Sequence, residues 1–234
     1  MSIISEKGLV RIVGNTENEE TEVMAIALFD LDHTLLQGDS DQLWGDLLFA
    51  RHKVTQQNYQ KPKDRFYQDY LTGSLDINAF LQFCAQTLSR LSATELTQLG
   101  EEFRDTMIRP RLSTAAIEQV YWHKDQGHLL AIVTTTNEFL ANWSLQCLPI
   151  DHLIASPLQP TAAFPAAFRD GKRVRFLSFC REQQRQPSER TWFYSDSHND
   201  LPLLNFVSDP VAVNPDQRLN SIANQCGWPV LDWS

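Results

Sequence analysis

The apolar run Val23-Met24-Ala25-Ile26-Ala27-Leu28 breaks at Phe29-Asp30-Leu31-Asp32-His33-Thr34-Leu35-Leu36. A short continuous apolar run bounded by polar residues predicts a buried strand. The polar positions of the next stretch recur at helical spacing. Ser40 is read as the cap of a helix through Leu43, Trp44, Leu47 and Leu48. Phe66, Tyr67, Tyr70 and Leu71 give a second apolar face, ended by Thr72-Gly73. Asp76 caps a third helix carrying Ile77, Phe80, Leu81, Cys84 and Leu88, and Ser92-Ala93-Thr94-Glu95 is a capping box opening a fourth. No strand pattern interrupts residues 38–110, which read as an all-helical insertion.

From Ser113 helical and strand patterns alternate. Helices are expected over Thr114–Gln126, Asn137–Leu148 and from Gly171 through Cys180. Strands are expected at His128–Val133, His152–Ala155, Thr191–Tyr194 and Pro210–Val213. Such alternation predicts an α/β fold, a Rossmann-like parallel sheet with helices on both faces. The domain division is then a core of residues 23–37 and 111–234 with a helical cap at 38–110. Residues 1–22 form an N-terminal extension, read as a poorly ordered tail unless Leu9–Val13 adds an edge strand; Met24 is a candidate natural start.

Ligands bind such sheets at the carboxyl ends of the strands. Asp30, Thr134 and Asp196 each fall just past an expected strand. Two carboxylates two residues apart at a buried strand end are costly unless a cation joins them. A carboxylate can attack phosphorus and divide one hard displacement into two, which makes Asp30 the candidate nucleophile. Asp32 is placed to protonate the leaving oxygen and then deprotonate water. Mg²⁺ prefers oxygen ligands and bridges carboxylates to phosphate, and Asp196 and Asp200 supply further carboxylates. Lys172 offers a fixed positive charge, with Arg169, Arg173 and Arg175 as competitors; Thr134 offers a hydroxyl for phosphate oxygens, with Thr135 and Thr136 beside it. His33 and His198 lack a second histidine at ligand spacing and read as local hydrogen-bonding residues. The aromatics Trp44, Phe66, Tyr67, Tyr70, Phe80 and Phe83 read as core.

Composition narrows the partners. A formal charge of −9 argues against nucleic acid or an anionic membrane. Four scattered cysteines suit reduced thiols, and neither a membrane span nor a secretory signal is visible; the expected location is cytoplasmic.

The four segments, Asp30-Leu31-Asp32-His33-Thr34, the strand ending at Thr134, Lys172 after Gly171, and Asp196 with Asp200, resemble in order and spacing the motifs of the haloacid-dehalogenase superfamily, in its phosphoserine-phosphatase-like branch. The resemblance implies a phosphomonoester hydrolase for a small phosphorylated metabolite, working through an aspartyl-phosphate on Asp30 with Asp32 as acid and base. It implies Mg²⁺ held by Asp30, the carbonyl of Asp32, and Asp196, with Asp200 as a ligand through water or a partner behind the ligands. Thr134, Thr135 and Lys172 fall on the phosphate side and Asn199 is a lesser polar contact. Asp39 lies where that branch has an acidic group for a substrate amine, although a helix-terminus carboxylate explains it equally well. The arginine that the branch uses for a substrate carboxylate has no counterpart after Gly73, where no Arg or Lys precedes Arg90. The same site also fits a phosphotransferase, or a phosphate-binding regulatory module without turnover.

Overall fold

The computed structural model describes residues 25–234. The expectations placed on residues 1–22, on Leu9–Val13 and on Met24 lie outside the described residues. Six strands, β1 (Ile26–Phe29), β2 (Leu129–Asn137), β3 (His152–Ser156), β4 (Thr191–Ser195), β5 (Asp209–Val213) and β6 (Val230–Leu231), form one sheet in the order β3-β2-β1-β4-β5-β6. Every pairing is parallel. The two-residue β6 carries too short an apolar run to be legible in the sequence; it adds to the sheet by pairing Val230 with Ala212.

Side chains alternate across the central strands, as the period of two requires. Ala27, Phe29, Leu130 and Ile132 pack on one face with α5 (Thr114–Asp125), α6 (Glu138–Leu145) and Trp233. Ile26, Leu28, Ala131, Val133 and Phe193 pack on the other with α7 (Asp170–Glu182), α8 (Leu201–Leu204) and α9 (Gln217–Cys226). Both faces of the parallel sheet are covered, which explains why its strands read as unbroken apolar runs.

Between β1 and α5 lie α1 (Ser40–Ala50), α2 (Lys61–Thr72), α3 (Ile77–Leu88) and α4 (Ala93–Glu102), with no strand among them. An unforeseen helical turn, Gln56–Gln60, runs directly into α2. The chain leaves and re-enters the sheet side by side. Leu36 bridges Leu112, Gln37 N–H donates to the Arg111 carbonyl at 2.7 Å, and Ser113 N–H donates to the Leu35 carbonyl at 3.0 Å.

Two boundaries differ from expectation. Asp39, not Ser40, caps α1: its backbone is extended and its side chain accepts from Gln42 N–H, while Ser40 is buried inside the helix. The second strand continues through Thr134, Thr135 and Thr136, because β-branched residues suit extended backbone. Asn137 closes it and caps α6, which ends at Leu145 rather than Leu148.

Candidate active site

The ends of β1, β2 and β4 meet one turn that folds back on itself. Leu36 N–H donates to the Leu31 carbonyl at 2.9 Å, and His33 takes a left-handed conformation (φ 55°). This turn delivers Asp30 and Asp32 to the same cavity, which Asp39, Asp41 and Asp196 also line.

Asp30 is buried at the end of β1, its N–H still bonded to the Tyr194 carbonyl at 2.9 Å. One carboxylate oxygen accepts from Lys172 Nζ at 2.9 Å. Burial pushes the Asp30 carboxyl up, and Lys172 pulls it back. Lys172, 1% exposed, also reaches Asp200 at 2.7 Å. Burial alone would lower the lysine; Asp200 and Asp30 outweigh it and hold the ammonium charged. The competitors are engaged elsewhere. Arg169 donates to the Gly73 carbonyl and to Asn199, Arg173 pairs with Asp170, and Arg175 bonds the Ala155 carbonyl and stacks on Phe164.

Asp32 receives two charge-assisted hydrogen bonds, from Ser40 N–H and from the Thr136 hydroxyl, each at 2.6 Å. Burial and the nearby Asp39 raise its carboxyl to about 6, and the two donors limit the rise. Asp32 therefore sits where a group can both give and take a proton near neutral pH.

The threonines separate by partner. Thr134 is buried and its oxygen accepts from Thr136 N–H at 3.1 Å; Thr135 lines the cavity but donates to the Ala167 carbonyl at 3.1 Å. Thr136, set beside the preferred Thr134 in the sequence, is the one bonded to Asp32. Asn199 does not line the cavity. Its amide donates to the Tyr70 carbonyl at 3.2 Å and its oxygen accepts from Arg169, so it fastens α2 to the sheet. His198 bonds Asp216, the local role expected of it. Tyr67 and Tyr70 line the cavity, against the reading of all the aromatics as core; Phe80 and Phe66 line it too but belong to or pack against a buried cluster, Trp44 belongs to the buried core and Phe83 packs against it.

A cation fits the remaining carboxylates. Among the described residues none donates a hydrogen bond to the Asp196 side chain, and Asp200 Oδ1 is buried without a partner. Burial, Asp30 and Asp200 drive the Asp196 carboxyl well above its usual range. Among the described residues no three His, Cys, Asp or Glu side chains converge as a metal cluster. The set implied by the resemblance asks for two carboxylates and a backbone carbonyl, an all-oxygen donor set suited to Mg²⁺.

The sequence profile of the haloacid dehalogenase-like hydrolases matches residues 27–205. The chain belongs to this family. It is 36% identical over 218 residues to the histidinol-phosphatase of Neisseria meningitidis, covering 89% of this chain and 98% of that one. A crystal structure of a protein of unknown function from Bordetella pertussis superposes with a TM-score of 0.83 at 34% identity, over 90% of this chain and 99% of that one. A phospho-aspartyl intermediate analogue of phosphoserine phosphatase shares the fold, with a TM-score of 0.62 at 14% identity over 90% of this chain and 94% of that one. As a haloacid dehalogenase-like hydrolase of the phosphatase kind, the chain carries its motif carboxylates on the strand ends where the α/β fold places ligands. Among the described residues no helix is long and apolar enough to cross a membrane.

Proposed function

We propose that this protein is a Mg²⁺-dependent phosphomonoester hydrolase that acts on a small phosphorylated metabolite through an aspartyl-phosphate on Asp30. The observation that carries the reading is the unequal treatment of two neighbouring carboxyls. Asp30 is tied to a buried ammonium through one oxygen, and Asp32 is held by two donors with its carboxyl raised to about 6.

Asp30, Asp196 and the Asp32 carbonyl would hold Mg²⁺, with Asp200 behind them; the ion supplies charge neutralisation between the Asp30 carboxylate and the phosphate. The Asp30 oxygen not bonded to Lys172 attacks phosphorus. The bond from phosphorus to the leaving oxygen breaks, and Asp32 delivers its proton to that oxygen. Asp32, now anionic, takes a proton from water as the water oxygen attacks the same phosphorus. The Asp30–phosphorus bond breaks, phosphate leaves and both carboxyls return to their starting states. Lys172 keeps Asp30 oriented throughout, and Thr135 and Thr136, which line the cavity where Thr134 does not, face the transferring group. Residues 38–110 act as a cap over a core of 23–37 and 111–234, closing the cavity against water. The name of the Neisseria relative supports a small phosphorylated substrate here.

The test is phosphate release from 4-nitrophenyl phosphate with Mg²⁺, followed by a panel containing histidinol phosphate, phosphoserine and sugar phosphates. Asp30→Asn is expected to remove turnover and EDTA to abolish it reversibly. Full activity of Asp30→Asn, or undiminished activity in EDTA, sinks the reading. Product analysis with added alcohols distinguishes water from an alcohol as acceptor.

A further inference from the structure

Hydrogen bonds fasten the last turn of α2 to the core beside the cavity. The Arg169 guanidinium donates to the Gly73 carbonyl, the Asn199 amide donates to the Tyr70 carbonyl at 3.2 Å, and the Tyr70 hydroxyl donates to Ser197 Oγ at 3.0 Å. Arg169 Nε also donates to Asn199 Oδ1 at 3.3 Å, which joins the core side of this clasp into one unit. Gly73 closes α2 in the left-handed region (φ 72°), and a Cβ on it would lie 2.8 Å from the guanidinium. Tyr70, Leu71 and Thr72 of the same turn line a second opening with His33 and His198, and Tyr70 and Asp196 line both that opening and the cavity. The turn that is clasped is therefore part of the mouth of the site.

Arg169 holds an unfavourable backbone to be there. Its φ of 52° and ψ of −123°, with the Gly171 N–H on the Phe168 carbonyl at 2.9 Å, make it the first central residue of a type II′ turn, a position that ordinarily takes glycine. Strain of this kind persists where the surroundings over-determine it. The turn also opens α7: the Lys172 N–H donates to the Arg169 carbonyl at 3.1 Å, and Lys172 Nζ lies on Asp30 and Asp200. Asn199, the other arm of the clasp, directly precedes Asp200. Both arms thus end on the buried ammonium and its partners, one through Lys172 and one through Asp200.

Resting on the hydrolase reading above, we propose that Arg169 is a positioning residue that couples the seating of residues 38–110 to the orientation of Lys172. With the end of α2 seated, the guanidinium is anchored and the strained turn holds Lys172 on Asp30. With the end of α2 lifted, the turn loses its anchor and Lys172 its register. Asp30 is then aligned for attack only when the mouth is closed.

The experiment measures kcat, KM and the thermal midpoint in the full chain with Mg²⁺ and 4-nitrophenyl phosphate. Arg169→Gly suits the type II′ turn and removes the clasp. Its midpoint is expected to match or exceed that of the unmodified protein while kcat falls on the order of tenfold, within what misplacing a positioned group costs, and KM changes less than kcat. Gly73→Ala forces the clasp apart from the side of α2 and is expected to lower kcat likewise. Because both changes break one link, the double variant should lose no more kcat than the worse single one. An unchanged or raised kcat in Arg169→Gly, a loss confined to KM, a midpoint that falls together with kcat, or multiplied losses in the double variant overturn the coupling. Absence of turnover in the unmodified protein sinks the hydrolase reading instead. Hydrogen exchange then decides the coupling by itself. Exchange at residues 172–174 that accelerates in Gly73→Ala more than exchange in α9 supports it, and acceleration no greater than in α9 overturns it.

Discussion

Thr136 donates its hydroxyl to Asp32 at 2.6 Å across 104 residues of chain, joining the end of β2 to the turn after β1. The bond favours the carboxylate form of Asp32 and so holds its carboxyl down, against the burial that raises it to about 6. Thr136→Val removes the donor and keeps the branched shape. The carboxyl then rises further, so the ionisation of Asp32 moves to higher pH. Because Asp32 begins the cycle protonated, the high-pH limb of the kcat profile is expected to move to higher pH in this variant. An unshifted profile would separate Thr136 from the proton transfer.

Lys172 is the cation shared by Asp30 and Asp200. Lys172→Met leaves both carboxylates buried without it, which costs on the order of 3–5 kcal/mol for a broken buried pair. Both carboxyls then ionise with difficulty in the folded state. Their folded values lie above the unfolded ones, so the variant gains stability as pH falls and loses it as pH rises through the folded values. Urea midpoints should therefore be higher for the variant at pH 6 than at pH 8. A midpoint equal to that of the unmodified protein at pH 8 would contradict the pairing.

Gly171 sits one residue before Lys172, and a Cβ on it would lie 2.0 Å from the Ala166 carbonyl oxygen. Backbone cannot yield there as a side-chain tip can. Gly171→Ala is expected to shift the first turn of α7 and to destabilise the protein by roughly 1–3 kcal/mol. Activity should fall at temperatures where the variant is still folded, because Lys172 is displaced from Asp30. Thermal melting and turnover, measured together, check both parts.

His123 is buried, 2.9 Å from the Tyr194 hydroxyl and 2.7 Å from His128. Burial, with His128 adding to it, lowers the His123 imidazole to about 3. The unfolded chain takes up this proton near the free value of about 6.5, and the folded protein refuses it until about 3. Stability is thus full above the unfolded value and falls with pH through that window, by about 1.4 kcal/mol per unit. In His123→Gln this part of the acid slope should disappear from urea titrations between pH 7 and 5.

The chemistry half of the site was legible because its residues lie next to strand ends. Asp30, Asp32, Asp196 and Asp200 follow apolar runs that reveal themselves by length, and Lys172 follows a glycine. The three threonines could not be separated, since their partners depend on how far β2 extends beyond Val133. The leaving-group half was less legible. Lys63 precedes Gly73 on α2, apart from the stretch between Gly73 and Arg90 where the resemblance places a cation, and its orientation depends on the packing of α2 over Gly45. The aromatics of α2 and α3 have the same spacing whether they face a core or a cavity. Only the packing of three helices against one another tells the two apart.

The pairing of Leu36 with Leu112 brings the two ends of the helical insertion to adjacent points on the sheet. An insertion joined this way can be lengthened, shortened or exchanged for another without altering the register of any strand. On the proposed function, the carboxylates of the core and the residues that choose a leaving group are thereby free to change separately. One can drift across many metabolites while the other stays fixed on phosphorus.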